Sequence, residues 1–166
     1  MGCTYSSTFL SSYFQIIATK LLQPFVKSII VKSRNLEKYV YLKYKTHVVP
    51  NGVNFNIFHP IDQIKSREKL GLDPNKKYVL FLGDKKNKRK NYKLVNNAIE
   101  HCKEKFNLIN PYPVNHDQVP LYLNASDCLI MTSFSEGSPQ VIKEALATNR
   151  PIVSTIAGSV NELISG

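Results

Sequence analysis

Short apolar runs alternate with amphipathic stretches along most of the chain. Ser28-Ile-Ile-Val31 and Thr46-His-Val-Val49 are β-branched runs of the length expected for buried parallel strands. Between them, Ser33 is placed to cap a helix reaching about Tyr44, because a serine hydroxyl can accept a free first-turn amide. Pro50-Asn51-Gly52 then reads as a turn, with proline fixing φ and Asn or Gly accepting positive φ. Ser66 to Leu70 predicts a short helix ended by Gly71. Tyr78-Val-Leu-Phe-Leu82 is the clearest strand. Asn91 is expected to cap a helix running to about Lys105, with Leu94, Ala98, Ile99 and Cys102 along one side.

Further along, Phe106–Ile109 reads as a strand, Val119–Leu123 as a short helix and Cys128-Leu-Ile-Met131 as an apolar strand. Ser138 is expected to cap a helix that Pro139 opens and that ends near Asn149. Ile152–Thr155 reads as a last strand and Val160–Ile164 as a last helix. This alternation predicts an α/β fold with a mainly parallel sheet and helices on both faces. Ligands in such folds sit beyond the carboxyl ends of the strands. Two loops stand at that edge, one after Leu82 and one after Met131.

The apolar stretch from Phe9 to Val31 changes the picture little. Gln15, Lys20, Gln23, Pro24 and Lys27 interrupt it, and a charge at the centre of a membrane span costs roughly 2.5–3.5 kcal/mol. It reads as a helix followed by a strand, and it lacks the basic start and cleavage site of a signal peptide. The opening MGCTYS matches the short myristoylation pattern, which chance also produces. Cys3, Cys102 and Cys128 form no CxxC pair, so neither a disulfide framework nor a zinc site is indicated, and a cytoplasmic setting fits. In 166 residues the net charge is +10. That excess points to anionic partners without choosing among phosphates, nucleic acid and acidic membrane.

The loop after Leu82, GDKKNKRKN, sets Gly83, Lys85, Lys86, Lys88, Arg89 and Lys90 between a strand end and a helix start. Side-chain cations and free backbone amides together favour phosphate there. The second loop, TSFSEGSP, carries Glu136 just outside a helix whose interior holds Glu144. At about 1.5 Å per residue Glu144 lies roughly 8–9 Å further along the helix axis, with Glu136 outside its start. That is too far to share one proton. Two separated carboxylates suit the two hydroxyl-bearing ends of one ligand, with phosphates between, since a charged acceptor binds hydroxyls strongly. Gln140 and Glu144 share a helical face.

Residues 136–164, EGSPQVIKEALATNRPIVSTIAGSVNELI, resemble the carboxyl-terminal domain of family 4 glycosyltransferases of the GT-B fold. The matching positions are Glu136, Gly137, Pro139, Glu144, Ala145, Pro151, Gly158 and Glu162. VPLYLNASDCLIMTS, HVVPNGVNFNIFHP and YVLFLGDKKNKRKN are similar to its preceding helix and strand, its interdomain segment and its phosphate loop. The resemblance implies a Rossmann-like, truncated GT-B enzyme. Residues 1–58 would be the tail of an amino-terminal, acceptor-side domain plus the interdomain segment, and 59–166 a nucleotide-sugar-binding domain cut short at its end. Glu136 would touch the donor sugar, as the catalytic-site carboxylate. Glu144 would hold the ribose diol, and Gly137, Ser138 and Pro139 would bring backbone to the sugar and diphosphate. Lys90 would neutralise the leaving diphosphate. Where the family has Gly-Arg, this chain has Gly83-Asp84, leaving Lys85, Lys86 or Arg89 to replace the arginine. Retention of configuration, no tightly held metal and no cofactor beyond the nucleotide-sugar donor are implied, with a carbohydrate or lipid-linked acceptor.

Three other functions are compatible with parts of the sequence. The chain could be a nucleotide-sugar-binding module without activity, a separate polypeptide supplying the amino-terminal domain. It could bind nucleic acid through KKNKRK, although no aromatic interleaving or binding motif accompanies that run. The basic residues and the Phe9–Leu22 stretch could meet anionic lipid at the inner membrane face, although that stretch is better read as a packed helix. His47, His59, His101 and His116 have no nucleophile or metal partner nearby in sequence and carry no catalytic expectation.

Overall fold

The computed structural model describes the backbone of residues 5–164 and the side chains of residues 14–164. The MGCTYS start falls largely outside the described residues. The chain forms two compact units, 1–50 and 51–166. The boundary drawn from sequence after residue 58 therefore moves eight residues back. The reason is Phe58, which is 1% exposed and lies in the core of the second unit.

The first unit holds α1 (Tyr5–Leu22), β1 (Ile29–Val31), α2 (Arg34–Glu37) and β2 (Thr46–Val48). β1 and β2 pair in parallel, Ile30 opposite His47. The expected buried strand is only half covered, because Ile30 is 68% exposed. The helix expected from Ser33 to Tyr44 stops after one turn at Glu37, and Ser33 makes no side-chain cap bond. Gln23 accounts for part of that stop. Its buried Oε1 accepts the amides of Tyr41 and Leu42 at 3.2 and 3.4 Å, which holds the chain in a turn there. Among the described residues no helix is long and apolar enough to cross a membrane.

The second unit is a four-stranded parallel sheet in the order β4-β3-β5-β6, formed by Phe106–Ile109, Lys77–Leu80, Cys128–Met131 and Ile152–Ser154. Its helices are α3 (Gln63–Lys69), α4 (Tyr92–Glu100), α5 (Val119–Ala125), α6 (Gln140–Ala147) and α7 (Val160–Ile164). Alternation along β3 and β5 sends Leu80, Leu129 and Met131 to one face and Val79, Phe81 and Ile130 to the other. The first set packs with Leu123, Ile142 and Val160, the second with Val95. Both faces are thus covered, and the fold is the Rossmann-like α/β arrangement expected.

The helix boundaries follow local chemistry. α3 begins earlier than expected because Asp62 accepts the Lys65 amide at 2.8 Å. It ends at Gly71, φ +65°, where the Gly71 and Leu72 amides return to the Glu68 and Arg67 carbonyls. α6 closes in the same way on Asn149, φ +54°, with Asn149 and Arg150 donating to Leu146 and Ala145. α4 ends at Glu100 rather than Lys105. Asn91 and Ser138 do not act as side-chain caps. Asn91 adopts φ +50° at the end of a 3₁₀ turn, Lys88–Lys90, and Pro139 rather than Ser138 stands immediately before α6.

Candidate functional site at the carboxyl edge of the sheet

The two loops picked out from sequence meet at the carboxyl ends of β3 and β5. They are joined by backbone. The Phe134 amide donates to the Arg89 carbonyl at 2.9 Å. The Thr132 hydroxyl donates toward the carbonyls of Lys90 and Asn91, at 2.8 and 3.1 Å. On the far side Thr155, beyond β6, donates to the Ser133 carbonyl at 2.7 Å.

Glu136 is held within this seam. Lys90 Nζ and Ser133 Oγ each lie 2.8 Å from Glu136 Oε1, and an Arg89 guanidinium nitrogen lies 3.6 Å from Oε2. Its side chain is only 11% exposed. Burial pushes the carboxyl upward, but the hydrogen bonds from Lys90 and Ser133 and the two positive charges outweigh this and hold it below the usual range. Its backbone is held from behind by Gly158. A Cβ added there would lie 2.2 Å from the Glu136 carbonyl oxygen and 2.8 Å from that of Gly137, and φ is +63°. Only glycine fits.

Beside this lies an open cleft of about 380 Å³, lined by Gly83, Lys90, His116, Gln140 and Glu144 among others. Glu144 is 4% exposed, and His116 Nε2 sits 3.1 Å from its Oε1. With the carboxylate ionised, that ring nitrogen is the donor. His116 rests against Phe58, ring centroids 5.2 Å apart. Gln140 donates through Nε2 to the Gly52 carbonyl at 2.9 Å, while its Oε1 is buried without a hydrogen-bond partner. An orphaned buried acceptor beside a cleft is costly unless something donates to it. Lys143 reaches the neighbouring Asn51 carbonyl at 2.9 Å, so Asn51 and Gly52 are fastened to α6. Lys90 belongs to both places. It lines the cleft and pairs with Glu136.

Lys85 is not among the residues lining this cleft. Its Nζ stands 5.0 Å over the Tyr92 ring, on a different side of the loop. Of the basic residues in the loop, Arg89 and Lys90 reach Glu136. Gly137, Ser138 and Pro139 lead from Glu136 into α6. A third loop at the same edge, 110–118 after β4, contributes Tyr112, Val114 and His116 to the cleft, and sequence reasoning gave none of the three a site role. The available signal was its position between a strand and a helix. Among the described residues no group of three or more His, Cys, Asp or Glu comes together as a metal site.

Residues 67–166 match the family described as Glycosyl transferases group 1. A Bacillus subtilis (strain 168) protein whose name gives it as a teichuronic acid biosynthesis glycosyltransferase, TuaC, is 27% identical over 140 residues, 72% of this chain and 36% of that protein. Among solved structures, Anabaena HepE in complex with UDP superposes with a TM-score of 0.72 at 19% identity, covering 87% of this chain and 49% of that one. Sucrose-phosphate synthase from Thermosynechococcus elongatus gives 0.67 at 16%, covering 90% and 46%. At these identities the structural likeness establishes the fold. The chain spans about a third of the length of TuaC and about half that of the solved relatives.

Proposed function

The chain belongs to the Glycosyl transferases group 1 family, and from that premise we propose that its cleft is the donor half-site of a glycosyltransferase that uses a nucleoside diphosphate sugar. The observation carrying this reading is Glu144. A nearly buried carboxylate opening on a cleft beside an unpartnered Gln140 Oε1 suits a pair of hydroxyls, such as the ribose diol. Lys90, at the cleft wall, and Arg89 would meet the diphosphate, Arg89 filling the role of the family's arginine. Gly83, which lines the cleft at the strand end, would lie beside the phosphates. Glu136, anchored by both cations, would take the hydroxyls of the transferred sugar, with Gly137, Ser138 and Pro139 supplying backbone along the way. The loop 110–118 would face the base. The complexes of HepE with UDP and with UDP-glucose support this choice of ligand class.

In transfer, the glycosidic bond to the diphosphate breaks, a new bond forms to the acceptor oxygen, and the acceptor's hydroxyl proton passes to the departing diphosphate. Lys90 and Arg89 stabilise the charge that grows on the departing diphosphate. Glu136 orients the sugar, and transfer proceeds with retention to a carbohydrate or lipid-linked acceptor. The test is calorimetric titration of UDP, GDP and ADP, followed by their sugars, into the folded chain. One nucleotide is expected to bind preferentially. Glu144→Gln should weaken it about 10- to 100-fold, the worth of a charge-assisted hydrogen bond. Affinity unchanged by that substitution overturns the assignment of Glu144.

A further inference from the structure

The proposed donor site absorbs only Arg89 and Lys90 of the basic run. The remaining cations face elsewhere. Lys85, Lys86, Lys88 and Lys93 line a second open cleft of about 500 Å³ together with Tyr92 and Phe134. No carboxylate lines it, and among the described residues none of the four lysines forms an ion pair. Four like charges around one concavity repel each other, and the usual relief, interspersed Asp and Glu, is missing there. Phe134 is 72% exposed at its edge. Tyr92 offers a ring already covered by Lys85. Asn87, Asn91 and Asn96 add side-chain amides that can both donate and accept.

We propose that this second cleft binds an acidic glycan, a sugar chain bearing carboxylate or phosphate groups. Each component of a charged sugar has a counterpart here. Lysines pair with the acidic groups, the exposed Phe134 ring takes an apolar sugar face, and the asparagines hydrogen-bond hydroxyls. An open cleft of this volume has room for a few sugar rings. Asn87 lines both clefts, and Phe134 is tied through its amide to the Arg89 carbonyl. Binding of the acidic glycan does not rest on the donor reading above.

The probe is tetragalacturonate, compared with the neutral tetrasaccharide maltotetraose, titrated into the full chain near physiological salt. The acidic chain is expected to bind at least about tenfold more tightly than the neutral one. Lys93→Glu should weaken its binding about fivefold or more while UDP affinity changes less than about threefold. Lys86→Glu/Lys88→Glu should weaken binding of the acidic glycan in the same direction. Equal binding of both tetrasaccharides, no binding of either, or indifference to the charge reversals overturns the proposal. So does tighter binding, through the same lysines, of single-stranded DNA or of phosphatidylglycerol vesicles. If UDP fails to bind while tetragalacturonate binds in a lysine-dependent way, the donor reading falls and the glycan site stands. The opposite pattern has the opposite meaning.

Discussion

Gly158 positions Glu136 without touching its carboxylate. Two things exclude a side chain there, a left-handed backbone and a carbonyl 2.2 Å from any Cβ. Gly158→Ala should cost about 2–4 kcal/mol, combining a left-handed penalty with a steric one, and should shift the Glu136 loop. Urea denaturation measures the first. A variant as stable as the parent would show that this contact is not close. Glu136 itself titrates in a way that can be followed. Its folded carboxyl lies below its unfolded value of about 4.3. Its stabilisation is therefore complete above that value and is lost as pH falls through the lower, folded one. Glu136→Gln should flatten the acid limb of the stability curve in that window, and an unchanged limb would refute the pairing with Lys90. Glu136 and Glu144 were legible in the sequence because a glycine and a proline mark the start of a helix between them. His116 was not, since its partner Glu144 lies 28 residues away and no local pattern carries that relation. The directions of Lys85 and Lys90 were equally hidden, because a run of cations does not encode which side of a loop each will take.

At the level of elements, strands read well because continuous apolar runs have few alternatives in a doubly covered sheet. Their helices read less well at the ends. Ser33 looked like a cap, yet tertiary hydrogen bonds donated by the Tyr41 and Leu42 amides to Gln23 hold the chain after Glu37 in a turn. Where Gly71 and Asn149 close α3 and α6, a local hydrogen-bond motif decides the boundary, and the sequence showed it. The joint between α3 and β5 was not legible at all. Arg67, 5% exposed, donates to the Ala125 and Pro74 carbonyls at 2.9 and 2.8 Å and to Asp127 Oδ2 at 2.8 Å. Asp127 also accepts the Tyr78 amide at the start of β3. This cluster lies at the amino end of the strands, away from both clefts. Asp127→Ala leaves a buried guanidinium without its carboxylate and should cost about 3 kcal/mol, read as a lower denaturation midpoint. Nucleotide affinity measured on the folded variant should stay within about twofold. A large loss of binding would mean that the cluster supports the site as well as the fold.

Across the whole chain, burial is uneven. Every fully buried apolar side chain among the described residues belongs to the second unit, while the first buries Gln23 and Ser33. Opening of the first unit should therefore need less energy. Amide exchange is expected to be fast in β1 and β2 and at least about 100-fold slower in β3 and β5. Similar protection in all four strands would contradict this. The sequence division after residue 58 missed Phe58 because an interdomain segment has no hydrophobic period to show which unit its aromatic residue joins. The strand order has a further consequence, for the order of events during synthesis. β3 waits for β5 to be made before it gains its second neighbour, and Glu136 gains its rear support only when Gly158 has left the ribosome. A nascent chain that has already produced both glutamates thus still lacks the support that fixes one of them. Donor binding should arise late and abruptly as the chain lengthens, rather than growing with each residue added.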